Sequence, residues 1–370
     1  MKMLSPQQHP YYVKLAMVLV IIVAGGYLSI LGKELLSPLL FAMLIAIVLL
    51  PVATWIETRF KFHRGAAAGL SVLLLIVFGA LIVYLVGNQI ANLGSDWPQF
   101  KLQIATTIKD TQHWISATFH INMVKQSNYI NSATKNLMTE GTSVIGATVL
   151  SVSSILLLVV FTLIYTFFLL FYRRHIVRFL VIVFDKENEM IVYDILAQVQ
   201  YIIRKYIVGL LLEMAIVATV LCLAFWLLGI KYALLLGIIT GLFNIIPYIG
   251  IFTALLFSLL VTFATAAGTT KIILVLVSVV LMHLIDSNVL LPMIVGSKVK
   301  INGLITLLGV IIGEMTWGIP GMFLSIPVIA IVKIIFDRVE SLQPWGLLLG
   351  DEKNEKEPPP LKEEIEEGKV

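Results

Sequence analysis

The sequence predicts an all-α, polytopic membrane protein with about six full spans and two re-entrant helical hairpins arranged as a candidate inverted repeat. The first observation is composition: 59% of the 370 residues are hydrophobic and 13% are charged, against about 45–50% and about 25% in soluble domains. The second is a series of apolar runs near the ~20 residues that a membrane helix needs, separated by short basic loops. The third is two pairs of shorter apolar limbs that meet at turns rich in proline and glycine.

Residues 1–90 are predicted to hold three spans, at about residues 12–31, 35–55 and 66–89. The densest basic short loop follows the second span, and this loop is therefore placed in the cytoplasm together with the N-terminus. It contains Arg59, Lys61, His63 and Arg64. The first ten residues lack the cleavage pattern of a secretory signal, so the first apolar run is predicted to be retained.

Two prolines are expected to shape the second span. Pro38 is predicted in the first turn of that helix, where its missing N–H costs little. Pro51 is predicted to kink the helix or to help end it.

Residues 91–142 are predicted to form an external amphipathic helical segment. Apolar side chains recur there at three- and four-residue steps, which is typical of such a helix. They are Leu93, Trp97, Phe100, Ile104, Ile108, Ile115 and Phe119. The segment could act as a lid or substrate-collecting surface, but packing on neighbouring helices or on the membrane face is the favoured interpretation.

Span four is predicted within residues 143–172, and a cytoplasmic amphipathic segment within residues 173–206. A second apolar stripe in that segment is predicted to run directly into span five, at about residues 207–228. The stripe consists of Ile191, Ile195, Val199, Ile202 and Tyr206.

Residues 207–338 are predicted to form a transport core with two hairpins and span seven, at about residues 272–291. The second hairpin has limbs at about residues 303–315 and 321–332, joined by TWGIP, and both are well short of a full span. The first hairpin, within residues 232–267, has limbs of roughly 15 and 19 residues around NIIPYIG. Its length leaves a re-entrant hairpin and two full spans both open.

The first limbs of the two hairpins share a pattern of two glycines four residues apart followed by a proline. The segments are LLLGIITGLFNIIP, with Gly237, Gly241 and Pro247, and TLLGVIIGEMTWGIP, with Gly309, Gly313 and Pro320. Small residues at this spacing let membrane helices approach closely. Copies that enter from opposite sides would form an inverted repeat, as in secondary transporters, although such glycine spacing is common in membrane helices.

Asp286 is the strongest candidate for a functional residue, because a carboxylate in an apolar span is costly unless it faces a protein interior or a cavity. It is predicted to couple protons or cations, with Ser287 and Asn288 adding ligands; a structural pair with a nearby cation is the alternative. His283, one turn earlier, could relay protons or be an inert hydrogen-bonded side chain. Glu213 could line the pathway, or it could snorkel to the interface and pair with Arg204.

Polar groups beside the two helix breaks are also candidates. Asn244 precedes the first break, whereas Glu314 and Thr316 precede the second. Glu213 and Asp286 precede their glycine pairs by similar separations. Both are predicted in the cytoplasmic half of the membrane, whereas an inverted repeat would place equivalent residues in opposite halves, so this similarity receives little weight.

The segment FNIIPYIG, followed by DSNVLLPMIVGSKVKINGLITLLGVIIGEMTWGIPGMFLSIPVIAI, resembles the autoinducer-2 exporter (AI-2E) family of bacterial permeases over residues 232–336. The motif positions are Asn244, Pro247, Tyr248, Gly250, Asp286, Asn288, Pro292, Gly296, Gly318, Gly321 and Pro327. The resemblance implies a transporter of the cytoplasmic membrane that works as a homo-oligomer, with a pentamer expected. Some members resemble autoinducer-2 exporters, and others resemble sodium(lithium)/proton antiporters.

The sequence therefore predicts a secondary transporter for a small solute or monovalent cation in the bacterial inner membrane, with both termini cytoplasmic. The candidate pathway residues are Glu213, Asn244, Pro247, Tyr248, Gly250, His283, Asp286, Ser287, Asn288, Glu314, Thr316, Gly318, Pro320 and Gly321. The alternatives are a passive channel and a membrane scaffold that holds a partner through the external segment.

Several functional classes are not expected. A lone cysteine, Cys222, supports neither a disulfide nor a thiolate metal site, and no cofactor is predicted. The sequence has no phosphate-binding GxxxxGK[ST] loop and no evident intramembrane nucleophile–base pair, so neither ATP-driven transport nor an enzyme is expected. The predicted partners are a second copy of the chain, the lipid bilayer and the substrate, and no nucleic acid. The acidic tail, residues 351–370, is predicted to be disordered.

Overall fold

The computed structural model describes residues 11–95, 102, 106, 154–184, 186–246, 249–265, 269–296 and 301–351. These residues form helices and short connections, without a strand, so the predicted all-α class is confirmed. Nearly all of the predicted external segment, and all but the first residue of the acidic tail, lie outside the described residues.

The described helices are numbered here in chain order. Those of the N-terminal half are α1 (Tyr11–Leu31), α2 (Lys33–Arg59), α3 (Arg64–Ser95), α4 (Ser154–Phe171), α5 (Arg173–Val183) and α6 (Glu189–Leu227). Those of the C-terminal half are α7 (Ala233–Phe243), α8 (Ile249–Thr265), α9 (Thr269–Ile285), α10 (Gly303–Trp317), α11 (Ile319–Arg338) and α12 (Gln343–Leu349).

Among the described helices, six are long and apolar enough to cross a bilayer: α2, α3, α4, α6, the run Thr270–Ile294 that contains α9, and α11. The chain is therefore a multi-pass membrane protein. Helix α6 is continuous over 39 residues, so the predicted amphipathic stripe does run directly into span five.

The second limb of the second hairpin is longer than predicted. The limb expected at residues 321–332 is α11, which has 20 residues and is long enough to cross a bilayer. The prediction of two short limbs there is wrong, because Lys333 does not end the helix. The helix continues to Arg338, and the Nζ atom of Lys333 lies 2.7 Å from Oδ2 of Asp337, one turn further along, a pair that stabilises this last part of the helix.

The first hairpin shows the opposite difference. Its first limb, α7, has 11 residues, fewer than the roughly 15 expected and well below the ~20 of a full span. The second limb, α8, is described over 17 residues, Ile249–Thr265, and both of its ends adjoin residues outside the described ranges. The length of α7 therefore supports re-entry of the first hairpin, whereas α11 is long enough for a full span.

The structure corrects the predicted position of Pro38 and one of the two alternatives for Pro51, that it ends the helix. Helix α2 begins at Lys33 and continues to Arg59, so Pro38 and Pro51 both lie inside it. Pro38 is therefore beyond the first turn, and Pro51 does not end the helix. Each proline removes only one backbone hydrogen bond, and contacts with neighbouring helices let a membrane helix continue past that loss.

Helix α6 holds the core together. One cluster of buried side chains joins it to α7 and α9 around Phe225, Leu235 and Val279. A second cluster joins its N-terminal half to α2 and α11 through Ile203 and Leu324. Both hairpins therefore pack on the same central helix.

Candidate functional site

Two glycines bring α7 unusually close to α6. A Cβ atom on Gly237 would lie 2.6 Å from the backbone nitrogen of Cys222, and one on Gly241 would lie 2.8 Å from the carbonyl oxygen of Met214. Both positions therefore require glycine for the close approach of two membrane helices. Helix α7 ends two residues after Gly241, which places the following residue, Asn244, beside Glu213.

Asn244 bridges two carboxylates from different helices. Its Nδ2 atom donates one hydrogen bond to Oε1 of Glu213 on α6 and another to Oδ2 of Asp286 after α9, each at 3.1 Å. The structure therefore brings together three predicted pathway residues. Because both carboxylates accept from the same nitrogen atom, their charges lie within a few ångströms of each other.

This carboxylate pair is buried and lacks a basic partner. Glu213 is 3% exposed and Asp286 is 6% exposed. Within the described residues, Oε2 of Glu213 and Oδ1 of Asp286 have no hydrogen-bond partner, and no lysine or arginine forms an ion pair with either carboxylate. Two adjacent negative charges would be strongly unfavourable there, so the site requires a proton or a bound cation for neutralisation.

The backbone changes its geometry at Asp286. Helix α9 ends at Ile285, and a wider π-helical turn, Asp286–Leu290, follows, with a second at Pro292–Gly296. Such π turns inside α-helices are frequent at functional sites. Here the π turn begins at Asp286, whose side chain is one of the two carboxylates of the pair.

The neighbours of Asp286 do not extend the site as predicted. The hydroxyl of Ser287 donates to the carbonyl of His283, and the amide of Asn288 donates to that of Leu284, each at 2.8 Å. Both side chains are exposed and bonded to their own helix rather than to the carboxylates. The Nδ1 atom of His283 is buried without a partner among the described residues.

The tip of the second hairpin is a separate, tightly packed turn. Gly318 has φ +69°, a conformation that favours glycine. A Cβ atom on Gly313 would lie 2.7 Å from the carbonyl carbon of Gly321, so the two limbs meet backbone to backbone. Trp317 donates from Nε1 to the carbonyl of Ser29 on α1 at 2.9 Å, which ties this tip to α1.

The predicted pathway residues beside the second helix break do not join the carboxylate pair. Glu314 is exposed on α10, and the Thr316 hydroxyl donates to its own helix. Pro320 lines a separate cavity of about 540 Å³ with Lys33 and Ser37.

Gly250, near the start of α8, packs against the backbone of Phe243. A Cβ atom on this glycine would lie 2.6 Å from the carbonyl carbon of Phe243, so the two limbs of the first hairpin also touch through their backbones. Pro247 and Tyr248 lie outside the described residues.

Sequence reasoning missed Tyr206 as a neighbour of the site. This residue is buried on α6, two turns before Glu213. The seven-residue separation places both on one face of the helix. That separation is the signal that could have found it, whereas periodicity alone assigns Tyr206 to the amphipathic stripe.

Comparison with known proteins identifies the family. The family model described as AI-2E family transporter matches residues 16–341. The chain belongs to the AI-2E transporter family. The resemblance found in the hairpin motifs is thereby confirmed, and the match extends well beyond them.

Three relatives resemble this AI-2E chain over nearly its whole length. The predicted transport protein YueF of Bacillus subtilis (strain 168) is 27% identical over 92% of this chain and 95% of its own. The predicted transport protein YhhT of Escherichia coli (strain K12) is 24% identical, with 90% and 92% covered. The AI-2 transport protein TqsA of the same strain is also 24% identical, with 90% and 93% covered. Transport is thus the function that these three relatives share by name.

Proposed function

We propose that this AI-2E protein is a secondary transporter that couples movement of a small solute or monovalent cation to ion binding at Glu213, Asn244 and Asp286. The observation that carries the proposal is the buried carboxylate pair without a basic partner among the described residues. Ionisable groups of this kind inside membrane helices usually belong to ion pathways or proton relays.

The geometry of the pair favours exchange of one cation for another. Oε2 of Glu213 and Oδ1 of Asp286 are the acceptors at which a proton or a monovalent cation would bind. A bound proton would let one carboxyl group donate to the other, whereas its loss would leave two negative charges to attract a metal cation. Proton and cation would therefore compete for the same oxygens, which is the requirement for antiport.

The depth of the site supports a pathway through the membrane. Helix α7 has 11 residues, or about 16 Å of length, roughly half of the ~30 Å hydrocarbon core. Its C-terminal end, at Asn244, would then lie near mid-membrane if α7 enters from one surface. Half-helix ends at that depth are typical of transporter binding sites.

Two cargoes fit the proposal. The name of TqsA supports export of a signalling molecule such as autoinducer-2, whereas the carboxylate pair favours sodium/proton antiport. We further propose that the protein works as a homo-oligomer, a pentamer by family resemblance, in the bacterial cytoplasmic membrane with both termini inside.

The experiment is flux in proteoliposomes with an imposed proton or sodium gradient, with sodium, lithium and autoinducer-2 as cargoes. Asp286→Asn keeps the shape of the side chain but removes its charge, and we expect it to reduce gradient-driven flux severely. Glu340→Gln, at an exposed carboxylate in the turn after α11, is the matched control and should leave flux unchanged.

Each alternative gives a different result. Flux that needs no gradient and moves no counter-ion would indicate a passive channel. No flux of any cargo by the folded protein would favour a scaffold. Unchanged flux in Asp286→Asn would remove the carboxylate pair from the mechanism.

A further inference from the structure

A cluster of arginines surrounds one glutamate where α2, α3, α4 and α5 meet. Arg173 donates from Nη2 to Glu57 Oε2, and Arg64 and Arg174 approach Oε1 of the same residue at 3.7 and 3.6 Å. Three positive charges thus face one negative charge. In addition, Nη1 of Arg173 is buried without a hydrogen-bond partner among the described residues. The cluster therefore retains unbalanced positive charge and an unused donor.

Helix α5 continues from this cluster as an amphipathic helix with an uncovered apolar side. Arg174 and Arg178 lie one turn apart on one face, whereas Phe179 and Val183 lie one turn apart on another. None of its residues is buried, and Phe179 and Val183 are 59% and 58% exposed. A helix that exposes both basic and apolar side chains matches the pattern of helices that lie in a membrane surface.

Four exposed aromatic side chains lie close in sequence to the residues of this arginine cluster. Trp55, Phe60 and Phe62 lie at the end of α2 and in the short loop after it, and Tyr172 lies between α4 and α5. Trp55 and Phe60 contact each other edge to face, with ring centroids 5.5 Å apart. Aromatic side chains of this kind are enriched where membrane helices leave the hydrocarbon region.

We propose that this surface, formed by Arg64, Arg173, Arg174 and Arg178 with the apolar side of α5, binds the headgroup of an anionic phospholipid. The lipid phosphate would accept from the exposed guanidinium groups of Arg174 and Arg178, since arginine pairs with phosphate in a bidentate geometry. Phe179 and Val183 would enter the adjoining acyl region.

The mixed chemistry of the surface favours a lipid over a soluble ligand. A nucleic acid or a soluble phosphate would use the arginines but would leave Phe179 and Val183 in water. An anionic lipid would contact both the arginines and these two apolar side chains, because its phosphate and its acyl chains belong to one molecule. The surface also follows directly from α4, a helix that is itself long and apolar enough to span the bilayer.

The experiment is lipid binding by the full-length protein, purified in neutral detergent and studied by native mass spectrometry. Phosphatidylglycerol is titrated against phosphatidylcholine with the same acyl chains. We expect preferential retention of phosphatidylglycerol, and a loss of roughly fivefold in affinity for each basic residue removed near the lipid, or about 25-fold for Arg174→Gln/Arg178→Gln.

The matched control removes two charges at the other end of α6. Helix α6 ends at Leu227, and Gly229 and Lys231 follow shortly after it. Lys271 donates to the carbonyl of Gly229. Lys231→Gln/Lys271→Gln should therefore keep the wild-type preference. Phe179→Ser, which leaves every arginine in place, should also weaken lipid retention and serves if the double arginine variant fails to fold.

Three outcomes would overturn the proposal. They are equal retention of both lipids by the wild-type protein, an equal loss in the lysine control, and displacement of phosphatidylglycerol by an equal concentration of glycerol 3-phosphate. The last outcome would assign the cluster to a soluble phosphate ligand instead.

Discussion

Asn244 occupies a position that few side chains could fill. A primary amide carries two hydrogens on one nitrogen, so it can donate to two carboxylates at once. Here one hydrogen bond reaches Glu213 and the other reaches Asp286. A serine would supply only one donor, and an aspartate would add a third negative charge. The residue therefore both joins two helices and lowers the repulsion between their charges.

Replacing Asn244 by leucine should destabilise the protein by about 1–3 kcal/mol, because two buried carboxylates lose their shared donor. The measurement is thermal unfolding of the purified protein in detergent. In a Glu213→Gln/Asp286→Asn background, the same replacement should cost clearly less, since neutral amides there can bond to each other. An equal loss in both backgrounds would show that Asn244 acts only through packing.

The two carboxylates should also act as one unit in transport. We expect Glu213→Gln and Asp286→Asn each to reduce gradient-driven flux, and the double variant to be no worse than the more damaging single one. Residues that act on the same step show such non-additive behaviour. Initial flux rates of the four proteins measure this, and independent, multiplying losses would contradict a shared site.

At the scale of helices, glycine packing sets the geometry of the site. Gly237 and Gly241 allow α7 to approach α6, and the end of α7 then carries Asn244 to Glu213. In the second hairpin the two corresponding glycines, on α10, pack against a different helix. There Gly309 contacts Ile329 and Gly313 contacts Gly321, both on the following limb, α11. The recurring glycine pattern thus serves different contacts in the two hairpins.

Gly241→Ala should separate α7 from α6 and destabilise the protein by about 1–3 kcal/mol, because the added methyl group meets the carbonyl oxygen of Met214 and the side chain of Ala218. Flux should fall as well, since Asn244 would be displaced. Gly87→Ala on α3 is the control: no atom lies within 4 Å of its added methyl group. Unfolding temperatures of the two variants give the comparison, and equal values would argue against the helix contact.

For the whole molecule, the path of the first hairpin decides how many times the chain crosses the membrane. Ile246 lies in the turn at its tip, just after Asn244. In a protein with Cys222→Ser, we expect Ile246→Cys to resist a bulky, membrane-impermeant thiol reagent from both sides, because a re-entrant tip stops near mid-membrane. Two full spans would instead place Ile246 at a surface, where it should react as fast as a cysteine at Glu187 before α6.

Sequence reasoning predicted much of this architecture, because apolar length and basic loops are local signals. Among the described helices it identified five of the six that are long and apolar enough to cross a bilayer, together with the continuous stripe of α6 and the residues Glu213, Asn244 and Asp286 individually. It did not predict the contact among these three residues, which depends on how α7 packs against α6. The sixth helix, α11, was predicted as a short limb, and predicted span one, in α1, is not among the six. The predicted length of α11 was wrong because it also depends on a contact with another residue. Lys333 has an ion-pair partner, Asp337, one turn further along the helix.

The different partners of the two glycine pairs bear on how such a molecule could move. Helix α7 is locked to α6, whereas α10 is locked to α11 and tied to α1 through the indole of Trp317. A rocking motion would therefore shift these as two separate blocks, and it would have to rearrange the packing of Ile203 on α6 against Leu324 on α11 at the boundary between them. Crosslinks placed across that boundary should arrest turnover, whereas crosslinks inside either block should not.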